Sequence, residues 1–414
     1  MNIKGSHQTR LTRVFHEALQ AVNGERCVER YLQQNPLRAD ICLVAIGKAA
    51  CSMASGARSV LGDQIRSSLV VTKHGYCHPD VPGVHVIEAG HPLPDQHSLE
   101  AGNQLLSFLK GAPKNARLLF LISGGTSALV EVLPETMTIE DLAKLNEWLL
   151  KSGLPITEMN AIRKQVSCIK GGRLARHVSG HDTVVLMMSD VQGDNPAVIG
   201  SGLLFPSDDI SESMNEDRLP GFLRRMLNQA PPIPKPADKC FHSIDWEIIA
   251  GVRQAIEAAD RAAISYGYTT NVHAEYLQGD AIACGQHIAQ VMQTNPGVLH
   301  IWGGETTVTL PANPGMGGRC QSLALSAALE LDGHKPWCLL AAGTDGGDGT
   351  MDAAGVCIDA NTLGNAKQYL GSDVDPRNYL QNADAGTLFE ASGNLIKTGP
   401  TGTNVTDLVL AYME

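Results

Sequence analysis

The chain has 414 residues, of which 43% are hydrophobic and 18% are charged, as is ordinary for a globular protein. Its 43 acidic and 32 basic residues give a net charge of −11, without the clustered basic stripe that a nucleic-acid-binding surface needs. Aromatic residues make up 5% and glycine occurs 42 times, which is typical of a loop-rich α/β enzyme. The length is sufficient for two domains.

Short apolar runs alternate with helical patterns in the first half of the chain, which predicts a mostly parallel sheet with helices on its faces. Buried strands are predicted at residues 41–46, 68–72, 84–87, 117–122 and 183–188. Polar, periodic segments predict helices at residues 141–152 and 158–177.

A change in composition divides the chain. Residues 206–219 are acidic and irregular, and residues 230–236 form a stiff, proline-rich connector. We place the boundary there, between an N-terminal domain of residues 1–236 and a C-terminal domain of residues 237–414. The second domain is predicted to begin with an amphipathic helix from about Trp246 to Tyr266, followed by strands at 269–273, 298–302 and 337–342.

The cysteines and the apolar segments bear on localisation. Ten cysteines are scattered without a C-x-x-C pair, which argues against a zinc ribbon or a thioredoxin-like site. The first ten residues are polar, and no run of about 18 apolar residues could span a membrane. We expect a soluble, cytoplasmic protein without a membrane or nucleic-acid partner.

Five glycine-rich or charged loops follow predicted strands. In open α/β sheets ligands bind at the carboxyl ends of the strands, so we expect these loops to share one crevice. They are Gly47-Lys48 and the loops at residues 123–127, 189–194, 303–306 and 343–350.

The loop at residues 343–350 contains four glycines and two acids, Asp345 and Asp348. The glycines would let backbone N–H groups approach a phosphate, and the carboxylates would bind a hard cation such as Mg²⁺. The alternative is a plain Asp/Gly turn whose carboxylates are solvated.

Two basic residues and one hydroxyl-rich loop are further candidates for binding an anionic ligand. The loop from Ser123 to Ser127 offers N–H groups and hydroxyls at a helix start, either as an anion site or as an ordinary capped turn. Lys48 could neutralise a phosphate or carboxylate, and Arg319, which follows three glycines of residues 315–318, could bind either group as a planar fork. Solvated surface positions are the alternatives for both.

Other polar residues are interpreted as structural. The cations at 163, 164, 170 and 173 are predicted to form a solvated helix face, an interpretation that we favour for Lys164. His74, His78 and His91 are predicted to be loop histidines because no acid or cysteine stands at a ligand-like spacing.

Several common motifs are absent from the sequence. Ala49 stands where a Walker A motif has Ser or Thr, and no G-x-G-x-x-G follows a strand. The protein-kinase motifs and the G-x-S-x-G elbow are also missing.

Taken together and in order, the loop segments resemble the class II glycerate kinases, the glycerate 2-kinase family. The resemblance covers nearly the whole chain and rests on the segments at residues 44–49, 90–95, 121–129, 160–164, 170–175, 189–194, 303–307, 317–319, 343–349 and 398–405. It implies an N-terminal Rossmann-like domain and a smaller, MOFRL-type α/β domain, with the active site in the cleft between them. The implied reaction is phosphorylation of D-glycerate at its 2-hydroxyl by ATP with Mg²⁺. A homodimer is left open.

The resemblance and the positions at strand ends together suggest a role for each candidate. Lys48 and Arg319 would bind the glycerate carboxylate and stabilise the transferring phosphoryl group, and Asp190 would orient or deprotonate the hydroxyl or hold metal. Mg²⁺ would be held by Asp194, Asp345 and Asp348. ATP would be bound by Ser123, Gly124, Gly125, Thr126, Ser127, Glu305, Gly343, Thr344, Gly346 and Gly347.

Two other classes of function remain open. An NAD(P)H-dependent hydroxypyruvate reductase is one, although the missing G-x-G-x-x-G counts against it. A metabolite-binding paralogue is the other, because the chain departs from the family pattern at Asn195, Cys320, Ser322 and Asn394.

Overall fold

The computed structural model of the protein describes residues 6–77, 84–207, 219–227 and 229–414. These residues form two compact units, one of Gly24–Ile249 and one of Ala250–Glu414 together with the residues before Gly24. Most of the segment predicted to be acidic and irregular, at 208–218, and the histidine at position 78 lie outside the described residues.

The described strands and helices alternate along much of the chain. The strands are β1 (Ile41–Ile46), β2 (Ile65–Lys73), β3 (His85–Ala89), β4 (Arg117–Ile122), β5 (Thr183–Met188), β6 (Ile244–Ala250), β7 (Thr269–Val272), β8 (Leu277–Asp280), β9 (Val298–Thr307), β10 (Trp337–Gly343), β11 (Gly355–Asp359), β12 (Leu395–Ile396) and β13 (Asp407–Met413). The helices are α1 (His7–Ala21), α2 (Gly24–Gln34), α3 (Ala50–Leu61), α4 (Gln96–Gly111), α5 (Thr126–Leu129), α6 (Ile139–Lys151), α7 (Ile156–Gln165), α8 (Ala175–Val178), α9 (Gly221–Met226), α10 (Val252–Ser265), α11 (Ala281–Thr294), α12 (Arg319–Glu330), α13 (Thr362–Leu370), α14 (Pro376–Gln381) and α15 (Ala385–Ser392).

The unit of Gly24–Ile249 contains a six-stranded sheet in the order β3-β2-β1-β4-β5-β6. The strands from β1 to β5 pair in parallel. The central strands β1 and β5 are buried along their whole length, as continuous apolar runs predict for a sheet covered on both faces. This strand order is that of the Rossmann fold, and it reverses direction between β1 and β4. The predicted fold class is confirmed for this unit.

The other unit contains a mixed sheet in the order β12-β11-β10-β13-β9-β7, with β8 also paired to β9. Strand β10 is antiparallel to β11 and β13, whereas β7 and β8 run parallel to β9. The predicted smaller α/β unit is therefore present.

The helix predicted from Trp246 to Tyr266 is wrong in its first third. Residues 244–250 form β6, which lies beside β5 at the sheet edge, and Gly251 in an extended conformation separates it from α10. Pairing with a neighbouring strand decides this segment, which no local pattern reveals. For the same reason the compact unit ends at Ile249, beyond our boundary at residue 236.

The helix predicted at 158–177 is broken in two. Helix α7 ends at Gln165, and Gly171 and Gly172 then adopt positive φ angles of 63° and 84°. A Cβ at Gly172 would lie 2.8 Å from the carbonyl oxygen of Phe205, so this close approach requires glycine.

The N-terminal helix α1 belongs to the unit of Ala250–Glu414. Its apolar face is buried against α10 and the sheet, with Leu11, Val14 and Phe15 inaccessible to solvent. Beyond the helix, the Thr403 hydroxyl donates to the Val22 carbonyl oxygen at 2.6 Å. None of the helices in the described part of the chain has the length and apolar character needed to cross a lipid bilayer.

Candidate functional site

The loops after β1 and β4 meet at the point where the strand order reverses. The backbone N–H of Lys48 donates to the Gly124 carbonyl oxygen at 2.9 Å, and the N–H of Ala49 donates to Ser123 Oγ at 3.0 Å. Open α/β sheets bind ligands at the point where the strand order reverses. The loops after β1 and β4 therefore form the centre of the candidate site. Their predicted proximity is confirmed.

Glycine is required where the two loops touch. Gly47 has φ +129°, and a Cβ there would lie 2.1 Å from Ser123 Oγ. Gly125 has φ +87°, and a Cβ there would lie 3.2 Å from Lys48 Cγ and from a ring carbon of His91. The Lys48 side chain therefore lies alongside Gly125, in van der Waals range of the loop.

The hydroxyls of the loop have different environments. Ser123 and Thr126 are buried, and the Thr126 hydroxyl lies 2.7 Å from the Ser123 carbonyl oxygen and 2.9 Å from that of Ile46. These two side chains hold the loop in shape through their hydrogen bonds, and their ligand-binding role stays a prediction. Ser127 instead lines a cavity, with its Oγ 2.7 Å from Ser201 Oγ. The helix that follows, α5, has only four residues, so a helix dipole adds little to anion binding.

A cavity of about 360 Å³ opens beside these loops. Asp190, which follows β5, lies in its wall as predicted, whereas Asp194 is in the next turn and is not part of the lining. The other polar or charged side chains that line it are His91, Ser127, Glu131, Asn146, Asn160, Arg163, Lys170 and Ser201. Most of this set was missed from the sequence, although the i, i+3 spacing of Asn160 and Arg163 places both on one face of α7.

A buried ion pair forms part of the cavity wall. Glu131 and Lys170 are 1% and 3% exposed, and the Lys170 ammonium donates to Glu131 Oε2. The second oxygen of Glu131 accepts the Ser167 hydroxyl at 2.5 Å and the N–H of Val132 at 2.9 Å. The two charges compensate each other, so the pair contributes shape to the cavity more than net charge.

The prediction of a solvated cationic face is wrong for Lys164 and Arg173, which are also buried. The Lys164 ammonium donates to the Ala197 carbonyl oxygen at 2.9 Å and to Ser207 Oγ at 3.0 Å. Arg173 donates to three backbone carbonyl oxygens, and burial lowers its pKa to about 10. These side chains replace water as the partners of carbonyl groups in an irregular segment.

A second cluster lies in the unit of Ala250–Glu414, around Arg319 at the start of α12. Its Nε and one terminal nitrogen donate to the two carboxylate oxygens of Asp407 at 2.6 and 2.8 Å, and its other terminal nitrogen lies 2.7 Å from Glu305 Oε1. Burial alone would lower the pKa of Arg319, but these carboxylates raise it. The alternative of a solvated arginine is therefore excluded, and Glu305 is placed beside the arginine.

Asp348 caps a helix and does not have the environment predicted for a metal ligand. It is 2% exposed, and its two oxygens accept the backbone N–H groups of Cys320 and Gln321 at 3.0 and 2.9 Å. The helix they begin, α12, has Gly318 as its N-cap and so lacks a capping side chain of its own. Asp345 is also largely buried, and its Oδ1 accepts the N–H of Gly347 at 3.0 Å.

The glycines of the loop at residues 343–350 serve close packing of backbone against backbone. A Cβ at Gly346 would lie 2.1 Å from the carbonyl oxygen of Gly399, and one at Gly349 would lie 2.0 Å from that of Gly317. The buried hydroxyl of Thr344 donates to the Thr406 carbonyl oxygen at 2.6 Å. The interpretation of these glycines as room for a phosphate therefore needs correction, because neighbouring loops fill that room at two of them.

The buried Asp348 makes stability depend on pH. Burial and the nearby Asp407 carboxylate raise its pKa to about 6. A raised pKa means that the native state binds the proton more tightly than the unfolded state, so the contribution to stability is full below the unfolded pKa and is lost as pH rises through about 6. We expect this one group to lower the free energy of unfolding by about 3 kcal/mol between roughly pH 4 and pH 7.

Asp348→Asn is the variant that isolates this effect. The amide keeps one acceptor oxygen for α12 but cannot ionise. Urea unfolding should show that the wild type is more stable than the variant at about pH 5, and that this advantage shrinks at about pH 7.5. An advantage that grows with pH would mean that Asp348 is stabilised as a carboxylate and that the sign assigned here is wrong.

A possible metal-binding group occurs elsewhere in the unit of Gly24–Ile249. His74 Nε2 and His97 Nδ1 lie 2.9 and 3.5 Å from Asp95 Oδ2. Burial of Asp95 opposes its ionisation, but hydrogen bonds from His74, from the backbone N–H groups of Gly90 and Ser98, and from His97 lower its pKa. Within the described ranges, this is where three potential metal ligands converge, and neither Asp345 nor Asp348 takes part in such a group. Two imidazoles and a carboxylate suit Zn²⁺ better than Mg²⁺.

Fold and site together define a class of protein, one with a Rossmann-ordered unit carrying a lysine loop at its switch point and a second, mixed α/β unit. The family model described as "Domain of unknown function (DUF4147)" matches residues 10–217, and that of the MOFRL family matches residues 298–407. The chain belongs to this family, that of the glycerate 2-kinases.

Individual relatives resemble the chain over nearly its full length. It is 37% identical to the D-glycerate 2-kinase of Thermotoga maritima, over 97% of each chain. It is 33% identical to the glycerate 2-kinase of Pyrococcus horikoshii, over 91% of this chain and 88% of that protein. The crystal structure of glycerate kinase from Thermotoga maritima superimposes with a TM-score of 0.82 at 35% identity, covering 99% of this chain and 100% of the other. The predicted family and two-domain fold are confirmed.

Proposed function

We propose that the protein is a glycerate 2-kinase, which transfers the γ-phosphoryl group of ATP to the 2-hydroxyl of D-glycerate and releases ADP. The observation that carries this proposal is the likeness to a D-glycerate 2-kinase over 97% of both chains. The cavity at the switch point supports this proposal. Asp190 lines the cavity together with Gly125, and the Lys48 side chain lies alongside Gly125.

Each group has a proposed part in the transfer. The 2-hydroxyl oxygen attacks the γ-phosphorus, the bond from that phosphorus to the ADP oxygen breaks, and the hydroxyl proton passes to Asp190. The Lys48 ammonium neutralises the charge on the transferring group, and the backbone N–H groups of Gly124 and Gly125 are the proposed donors to phosphate oxygens. Arg319 is the proposed second cation, oriented by Asp407 and Glu305.

Mg²⁺ belongs to this proposal as the usual companion of ATP, whose phosphate charge it neutralises. Asp194, Asp345 and Asp348 are the proposed carboxylates. Asp348 already accepts two backbone N–H groups, so it would offer a metal only its remaining lone pairs.

A coupled assay tests the function and its regiochemistry. The protein is incubated with ATP, Mg²⁺ and D-glycerate, and the product is passed to enolase, which uses 2-phosphoglycerate directly. We expect phosphoenolpyruvate to form without added phosphoglycerate mutase. A signal that requires the mutase would contradict transfer to the 2-hydroxyl.

Control reactions address the other two classes of function. Oxidation of NADH by hydroxypyruvate without ATP would indicate the reductase. Binding of ATP without turnover of any hydroxy acid would indicate a non-catalytic paralogue.

We also propose a cytoplasmic location, because the reaction uses ATP and eight of the ten cysteines are free thiols. Cysteines Cys51 and Cys77 form a disulfide, which is unusual in that compartment. A homodimer remains a prediction, which sedimentation of the purified protein would test.

A further inference from the structure

Arg163 differs from the other cations of its segment. Lys164 and Arg173 donate to neutral oxygens inside the fold, and Lys170 is paired with Glu131. Arg163 instead lies in the cavity wall, and across the described residues no acidic side chain lies within ion-pair distance of it. It is a half-buried positive charge without a negative partner.

Two asparagines hold the guanidinium group in place. Arg163 Nε donates to Asn146 Oδ1 at 3.1 Å, and a terminal nitrogen donates to Asn160 Oδ1 at 3.0 Å. Asn146 is itself buried, so its amide is a fixed support. These bonds use two of the five N–H groups of the arginine, whose side chain lines the cavity.

Besides the compensated pair of Glu131 and Lys170, the cavity wall carries the guanidinium of Arg163 and the carboxylate of Asp190, with His91 in the same wall. A desolvated guanidinium is costly without an anion, and a planar fork matches a carboxylate in two parallel hydrogen bonds. Such a cavity suits a small molecule with a carboxylate at one end and a hydroxyl at the other.

We propose that Arg163 binds the carboxylate of the acceptor substrate, with Asn146 and Asn160 orienting the guanidinium group. This inference rests on the proposed kinase function and adds the group that selects a hydroxy acid over a neutral polyol. Lys48 and Arg319 are then left to act on the phosphoryl group. A nucleotide phosphate is the other anion that Arg163 could bind, and the kinetics below distinguish it from the substrate carboxylate.

Kinetics of Arg163→Met and Arg163→Lys separate the two anions. We expect Arg163→Met to raise the KM for D-glycerate about 100-fold and to leave the KM for ATP nearly unchanged, because the lost bonds are to a charged group. Arg163→Lys should recover only part of the loss, since an ammonium lacks the planar fork. Arg176→Met, which removes an exposed arginine of α8, is the matched control and should behave as the wild type.

A second variant tests the same contact without removing Arg163, in case Arg163→Met fails to fold. Asn160→Asp keeps the arginine but places a carboxylate where the amide oxygen now accepts its N–H, which should also raise the KM for D-glycerate. A rise in the KM for ATP instead would assign Arg163 to the nucleotide, and unchanged constants for both substrates would overturn the proposal.

Calorimetric titration without ATP distinguishes failure of this inference from failure of the proposed function. The wild type should bind D-glycerate but not glycerol, and Arg163→Met should lose that binding. If the wild type and the variant bind D-glycerate equally, Arg163 is not the carboxylate site although the function stands. If the wild type neither binds nor phosphorylates D-glycerate, both proposals fall.

Discussion

Replacing Lys48 with methionine is expected to lower kcat/KM for D-glycerate about 1,000-fold, mainly through kcat. A cation that neutralises a transferring phosphoryl group acts chiefly in the transition state, and removing one such group typically costs a factor of about 100 to 10,000. The fold should survive, because the backbone N–H of Lys48 holds the loop through its hydrogen bond to the Gly124 carbonyl oxygen, and the substitution keeps that bond. Methionine keeps a long side chain beside Gly125 and removes only the charge.

Steady-state kinetics with both substrates check this prediction. Lys110→Met, in the last turn of α4, removes an exposed lysine of the same unit and should leave the rate unchanged. A Lys48→Met enzyme within a few-fold of the wild-type kcat would remove Lys48 from the catalytic machinery.

Replacing Arg319 with alanine is expected to reduce both stability and turnover. The change leaves the buried Asp407 carboxylate without its bidentate partner, which should lower the free energy of unfolding by about 3–5 kcal/mol. If Arg319 also stabilises the phosphoryl group, kcat of the folded fraction should fall about 100-fold or more. Activity must therefore be measured per folded molecule, at a temperature well below the unfolding transition.

Asp407→Asn separates the two effects. It weakens the same ion pair but keeps the arginine, which Glu305 still contacts, so it should lose stability but retain more turnover per folded molecule than Arg319→Ala. Equal kcat values for Arg319→Ala and Asp407→Asn would show that Arg319 only holds the loops together. A large loss confined to the arginine variant would place it in the reaction.

The strands and the loops after them were predictable because each strand is encoded by its own local run of residues. Strands β1, β4 and β5 are continuous apolar segments, and the residues that follow them bear the glycines and charges that make a site. The parallel order brings two of those loops together without any further information. Local patterns sufficed here because strands buried on both faces are near-continuous apolar runs, which are visible in the sequence.

Partners distant in sequence could not be predicted. Asp348 was predicted to be a metal ligand from the residues of its own loop. Its hydrogen-bond partners are the backbone N–H groups of Cys320 and Gln321, which lie 28 and 27 residues earlier in the sequence. Glu131 stands 39 residues before Lys170, and nothing in the spacing marks them as a pair. Charged residues on a helix pattern usually face water, so the buried cations of the segment after α7 appear only once the fold is known.

The edge strand β6 was also not predictable from its own sequence, because its pairing partner β5 is distant in the chain. Its sequence contains a tryptophan, three isoleucines and an alanine, which a helix could also accommodate, and only the open edge of β5 selects the extended form. The domain boundary that we placed at residue 236 rested on the proline-rich connector, whereas the compact unit extends past it to Ile249.

The chain leaves the unit of Ala250–Glu414 after α1 and returns to it only at residue 250. On the ribosome, Gly24–Ile249 is therefore complete before the partners of α1 have been made. At about 5–20 residues per second, the roughly 230 intervening residues take roughly 10–50 s to synthesise. Throughout that interval the nascent chain carries the apolar face formed by Leu11, Val14 and Phe15 without the α10 helix that later covers it.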